Sequence, residues 1–118
     1  GKYNASTSFA ESDHRNYNKD GEAFSVGETF SGIDFNEGLK LVEALQQIKP
    51  SEITMANFAM RWILDHEEVT TVIPGASSAQ QVMQNVNAST IAPLSSESHK
   101  LLYELYQSKI ANLIRCPV

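Results

Sequence analysis

Val69-Thr70-Thr71-Val72-Ile73 is the segment that most constrains what this chain can fold into. It is short, rich in β-branched residues and closed by Pro74-Gly75, so it reads as a buried strand. From residue 34 onward everything else reads as helix, giving the order helix, helix, strand, helix, helix. A single strand cannot pair its own backbone N–H and C=O groups, and burying such groups unpaired is costly. The strand therefore needs neighbours from the N-terminal stretch, from a second copy of the chain, or from residues beyond this sequence. The expectation is a portion of an α/β structure, mostly helical by itself, with one strand. Uncovered strand edges and helix faces of this kind predict self-association.

The helices announce themselves by their starts. Asp34-Phe35-Asn36-Glu37 has capping-box spacing, and Leu41, Ala44, Leu45 and Ile48 follow at helical spacing until Lys49-Pro50 ends the run. Thr54 is the N-cap of a helix to about His66, with Ala56, Ala59, Met60, Ile63 and Leu64 as its apolar stripe and Trp62 beside it. Ser78-Ala79-Gln80-Gln81 is a second capping box, opening a helix through about Ala88. A last helix runs from Ser95 or Ser96 to about Ile110, with Leu101, Leu102, Leu105 and Tyr106 on one side. Residues 1–33 are polar and show no period. A structureless stretch of that length is unusual inside a domain and reads as a covering loop, with Tyr3, Phe9, Tyr17, Phe24 and Phe30 as its anchors. No repeat and no boundary between two domains is visible.

Composition removes several functions. A length of 118 residues allows one domain or a piece of one. A net charge of -5, with nine scattered Lys and Arg, argues against a nucleic-acid or polybasic membrane partner. One cysteine, Cys116, permits neither an intrachain disulfide nor a Cys-based metal site, and a reducing, cytoplasmic setting is the default. No apolar run approaches the roughly 18 residues of a membrane span, and no signal-peptide pattern opens the chain. Opening on Gly1-Lys2-Tyr3 rather than Met, the sequence reads as a truncated or processed product. His14, His66 and His99 stand apart without metal-ligand spacing, and Asp65, Glu67 and Glu68 read as a solvated run.

The stretch that carries chemistry is Val72 to Gln81, continuing to Gln84 and Asn85. A strand leads through Pro74-Gly75 directly into a capped helix. The first N–H groups of that helix lack internal acceptors, and the helix dipole adds partial positive charge. Gly75 lets a ligand approach the backbone, and the Ser77 and Ser78 hydroxyls add donors, so a phosphate fits there. Gln81, Gln84 and Asn85 follow at three- and four-residue spacings, offering amides to a purine or ribose. The same residues are also ordinary turn-and-cap chemistry, and most such helix starts bind nothing. The segment is neither a Rossmann fingerprint nor a P-loop.

Thr54-Met55-Ala56 with Ala59-Met60-Arg61-Trp62-Ile63-Leu64, then Val72-Ile73-Pro74-Gly75-Ala76 and Gln81 to Asn85, resembles the end of aldo-keto reductases. Those enzymes are (β/α)8 TIM barrels that reduce aldehydes and ketones with NADPH, without metal or flavin. The resemblance implies that this chain is the C-terminal portion of such a barrel, with residues 69–73 as strand eight. Residues 1–33 would then be a cofactor-covering loop, and residues 34–118 the last helices and final strand. The family pattern G-x-x-S-x-x-Q-x-x-[EQ]-N is filled by Gly75, Ser78, Gln81, Gln84 and Asn85, with Ala76 and Ser77 alongside, and implies a grip on the adenosine 2′-phosphate and adenine. Gly1-Lys2-Tyr3 is similar to the segment after the seventh strand, which puts Lys2 near the cofactor phosphates. Asp13 to Asn16 and Gly27 to Gly32 look like the loop that follows in a bacterial branch related to potassium-channel β subunits, with Arg15 as its cofactor-facing cation.

Many relatives carry Lys at the place of Gly75 and Arg at the place of Gln81. NADP over NAD would here rest on Lys2, Arg15, the serine hydroxyls and the helix start, and NAD stays an alternative. The tail Arg115-Cys116-Pro117-Val118 lacks an aromatic substrate-closing motif. The family's catalytic Tyr, Lys, Asp and His lie on earlier strands. Tyr3, Tyr17, Tyr103 and Tyr106 do not match that tyrosine and read as packing residues, so no catalytic residue is assigned and the chain alone is expected to be inactive. The partners implied are a nicotinamide dinucleotide and either the rest of the barrel or another copy of the chain. The alternatives are a non-catalytic nucleotide-binding module and a small acidic helical interaction module.

Overall fold

The structure, a computed structural model, describes residues 3–18 and 32–114. Lys2, the anchors Phe24 and Phe30, residues 27–31, and the tail 115–118 with Cys116 lie outside the described residues. The elements are α1 (His14–Tyr17), α2 (Phe35–Ile48), α3 (Met55–Leu64), α4 (Ala79–Asn87) and α5 (Ser96–Leu105). A 3-10 turn, Ala88–Thr90, prolongs α4, and a π-helical turn, Tyr106–Ile110, prolongs α5. Although the sequence marks no boundary, the chain forms two compact units, Gly1–Gln47 with Tyr103–Val118, and Ile48–Leu102.

The first unit holds a polar segment by its aromatic rings. Tyr3 meets Phe9 edge-to-face at 5.4 Å, and Phe9 meets Phe35, the first residue of α2, at 5.6 Å. This stretch is not wholly without structure as expected. Asp13 Oδ1 accepts the Arg15 backbone N–H at 2.9 Å and caps the single turn α1. Gly32 adopts a left-handed φ of 77°, which favours glycine, just before α2 begins. Asp34 then caps α2, its Oδ1 accepting from the backbone N–H of Asn36 at 2.9 Å and of Glu37 at 3.2 Å. The Glu37 side chain does not close the expected box but pairs with Lys40. Leu41, Ala44, Leu45 and Ile48 are half-buried at the helical spacing read from the sequence.

The second unit begins with a turn closed by Lys49, whose Nζ donates to the carbonyls of Pro50 at 2.7 Å and Ile53 at 2.6 Å. Thr54 caps α3 as expected, its Oγ1 accepting from the Asn57 N–H at 3.1 Å. The buried face of α3 differs from the expected stripe. Phe58, Met60 and the polar Asn57 are buried, whereas Ala56 and Ala59 are exposed. α3 packs against α4 and its 3-10 turn, where Ala88 is buried. Asn57 tolerates this position because its Nδ2 donates to the Gln84 carbonyl at 3.2 Å and its Oδ1 accepts from Thr54 Oγ1 at 2.7 Å.

The expected strand is not present. Among the described residues there is none, and residues 69–76 have no regular secondary structure. The physical reason is the one that made the segment informative: no backbone among the described residues lies alongside to form a ladder. Ile73 is 92% exposed. The regular structure of the described residues is helical.

Asp65, which the sequence placed in a solvated run, is instead the organising charge of this unit. Its side chain is 6% exposed. Oδ1 accepts from Arg61 Nε at 2.9 Å, while Oδ2 takes the Leu94 N–H and His99 Nε2, each at 2.9 Å. One carboxylate thus ties the end of α3 to the connector before α5 and to α5 itself. Burial alone raises the Asp65 pKa, but the Leu94 amide, His99 and Arg61 together outweigh it and hold the carboxyl below its ordinary value. A depressed carboxyl contributes stability above its unfolded pKa, about 3.9, and that contribution is lost as pH falls through the folded value. Asp65→Asn is therefore expected to cost about 2 kcal/mol at neutral pH and to flatten the acid side of the stability curve. Urea titration of both proteins at several pH values checks this, and equal midpoints at neutral pH contradict it.

Candidate functional site

Polar groups converge at the start of α4, on the loop that follows the unpaired segment. Ser78 is the N-cap, with extended backbone (φ -152°, ψ 156°) and its hydroxyl accepting from the Gln81 N–H at 3.2 Å. The capping box closes one residue earlier than expected. Gln81 reaches back to Ser77, its Oε1 accepting from the Ser77 N–H at 2.6 Å and the Ser77 hydroxyl at 2.9 Å. Asn85, one turn on, donates from Nδ2 to the Gly75 carbonyl at 3.3 Å and ties the loop to the helix. Residues 73–84 are all exposed.

Two features bear on what this loop can do. The N–H groups of Ala79 and Gln80, at the first turn, have no acceptor among the described residues. Two donors of Ser77 converge on one oxygen, Gln81 Oε1, so the loop already defines a place for an acceptor oxygen. Gly75 contributes openness: a Cβ built there meets nothing within 4 Å. Between residues 69 and 96 the sequence has no charged side chain, so what this segment itself offers an anion is neutral donors and the helix dipole.

The expected amide face divides in two. Ala76 and Asn85 line an open cleft of about 340 Å³ with Val72, Pro74 and Val86. Gln84 lines a different depression, about 410 Å³, with Thr54, Asn57, Met83 and Asn87. Gly75, Ser77, Ser78, Gln81 and Asn85 are therefore brought together by hydrogen bonds, whereas the Gln84 side chain is not among them. Adjacent residues on a helix differ by about 100°, which explains the split.

Arg15 belongs to the other compact unit, and Lys2 lies outside the described residues. The Arg15 Nε donates to Asp13 Oδ1 at 2.9 Å, its Nη1 to the Tyr3 hydroxyl, and its guanidinium lies over Phe9 at 4.9 Å and over Tyr3 at 5.4 Å. The Arg15 backbone N–H is the main influence holding the Asp13 carboxyl below its ordinary value, against a smaller opposing effect of burial. Sequence reading missed Asp13 as a partner of Arg15, although the two-residue spacing of opposite charges was there to see. Among the described residues no group of three or more His, Cys, Asp or Glu is placed to hold a metal, and no helix is long and apolar enough to cross a membrane.

Comparison with protein-family models matches residues 1–107 to the aldo/keto reductase family, and the chain belongs to that family. Its members are oxidoreductases built on a (β/α)8 barrel that bind nicotinamide dinucleotides. Searches of curated proteins and of solved structures gave no match.

If Ser78 sets the start of α4, Ser78→Ala removes about 1 kcal/mol from that helix, whereas Ser78→Asn retains it. Hydrogen exchange at the α4 amides measures the difference, and equal protection in Ser78→Ala and wild type contradicts the assignment.

Proposed function

We propose that this chain is the cofactor-binding C-terminal segment of an NADP-dependent aldo-keto reductase, a reducer of aldehydes or ketones, and that it has no turnover alone. The observation that carries the reading is the exposed start of α4, where the Ala79 and Gln80 amides have no internal acceptor, in a chain of this family. Helix starts of this kind accept phosphate through free N–H groups and the dipole.

The donor set fits an anion. Ser77 and Ser78 supply hydroxyls and no carboxylate stands in the loop. A phosphate oxygen replacing Gln81 Oε1 would take over both Ser77 donors, freeing the Gln81 amide to bind elsewhere on the nucleotide. Asn85 steadies the loop through the Gly75 carbonyl. Lys2 and Arg15 are assigned to the cofactor phosphates by resemblance, and Gln84 to the adenine end. The bound cofactor supplies the hydride, while these residues bind and orient it. With neutral groups in place of cations at Gly75 and Gln81, NAD is the alternative cofactor.

Carbonyl reduction needs a proton donor within hydrogen-bond reach of the carbonyl oxygen. The family's donor tyrosine and its Lys, Asp and His belong to earlier barrel strands, and no tyrosine here is assigned that role. On this reading residues 69–73 become a strand only beside the rest of a barrel or a second copy of the chain.

Titration of the 118-residue chain with NADPH, followed by cofactor fluorescence, is expected to saturate, and the mixture is expected to leave NADPH unconsumed on adding aldehydes or ketones. Absence of saturable binding contradicts the cofactor assignment and favours a helical interaction module. Carbonyl-dependent oxidation by the purified chain contradicts the claim of inactivity.

A further inference from the structure

Two histidines that the proposed function leaves unused meet inside the second unit. His66 follows the C-cap of α3, and His99 stands in the first turn of α5. Their ring centres are 6.1 Å apart, and the Trp62 ring packs against His66 at 4.7 Å. Each imidazole is also held by one nitrogen. His66 Nδ1 lies 2.8 Å from the Trp62 carbonyl oxygen, and His99 Nε2 lies 2.9 Å from Asp65 Oδ2. A carbonyl and a carboxylate only accept, so these two nitrogens carry the hydrogens. In the neutral ring the other nitrogen then presents a lone pair. Those nitrogens are His66 Nε2 and His99 Nδ1, and neither has a hydrogen-bond partner among the described residues.

Histidines that bind metal ions have this same second contact. The N–H that does not face the metal goes to a carboxylate or a backbone carbonyl, which fixes the tautomer and the ring direction. We infer that His66 and His99 form a two-histidine site for a late first-row divalent ion such as Zn2+, with water in the remaining positions. Imidazole nitrogen suits Zn2+, Cu2+ and Ni2+, whereas Mg2+ and Ca2+ take oxygen ligands. With metal–nitrogen distances of about 2 Å and a tetrahedral angle, two imidazole centres stand about 5 Å apart. Closing on the ion from 6.1 Å therefore asks for a movement of about 1 Å. His66 is exposed, so its ring can make that movement while His99 stays on the buried carboxylate. The ion would join the end of α3 to α5 and stabilise the folded unit, because the unfolded chain does not hold the two rings together. The inference uses none of the residues proposed for the cofactor.

Long-range 1H–15N NMR spectra of the histidine rings in the 118-residue chain test this, with Zn2+ as the probe. At a pH of about 8, where free imidazole is neutral, the metal-free chain is expected to carry its protons on His66 Nδ1 and His99 Nε2. Addition of Zn2+ is expected to shift His66 Nε2 and His99 Nδ1 together, saturating at one equivalent, and to leave the His14 nitrogens in place. Mg2+ is expected to shift none of them. His66→Gln and His99→Gln each remove one ligand and are expected to abolish the site. The first lies at an exposed position, and the second keeps an amide N–H for Asp65, so neither tests folding in place of binding. Zn2+ is also expected to raise the thermal unfolding midpoint of wild type and of neither variant. The opposite tautomer on either ring overturns the inference. So do Zn2+ shifts that survive in either variant, shifts confined to His14, or no saturable shift in wild type.

Discussion

Every buried or half-buried backbone must find partners for its N–H and C=O groups, and this requirement shapes the second unit more than any other. Residues 70–76 make no backbone–backbone hydrogen bond among the described residues. The chain manages that deficit by leaving most of the segment in water and by anchoring both flanks. Upstream, the Val69 N–H reaches the His66 carbonyl at 2.9 Å. Downstream, Asn85 holds the Gly75 carbonyl and Gln81 holds Ser77. The candidate site is thus the anchored end of a segment whose own pairing is deferred.

What makes that anchor firm is the platform behind it. α3 and α4 are joined by the buried amide of Asn57, and Phe58 and Met60 of α3 and Ala88 after α4 are buried. Asp65 then closes the far end, fixing Leu94 and His99 to the last turn of α3. His66 completes the same corner, its Nδ1 donating to the Trp62 carbonyl at 2.8 Å, as expected for a histidine at a helix C-terminus. A loop that greets a ligand with backbone amides gains from such rigidity, because less order has to be imposed on binding.

The parts of this arrangement that could be read in the sequence are those whose partners lie within a turn. The caps at Asp34, Thr54 and Ser78 involve residues two or three positions apart, and each begins its helix where the spacing indicated. Ser95 behaves likewise, accepting from the Ser98 N–H at 3.1 Å. Side chains whose partners are about thirty positions away were not legible. Asp65 has Arg61 at the visible four-residue spacing, but nothing local announces Leu94 or His99, and its neighbours Glu67 and Glu68 suggested a solvated run. Asn57 was equally hidden, since its acceptor is the backbone of Gln84. The strand was over-read for a related reason: composition encodes a preference for extended backbone, but pairing belongs to the neighbour. Of the candidate site, the run Gly75, Ser77, Ser78, Gln81, Asn85 was legible as an order of residues, whereas the bonds from Gln81 to Ser77 and from Asn85 to Gly75, and the direction of Gln84, needed three dimensions.

The central claim is that the first turn of α4 is the place where a nucleotide's phosphate is held. Backbone amide NMR spectra of the chain titrated with adenosine 2′,5′-bisphosphate address it at the level of single N–H groups. The account predicts the largest, saturating shifts at Ser77, Ser78, Ala79 and Gln80. Saturating shifts confined to other residues, or none at all, contradict it.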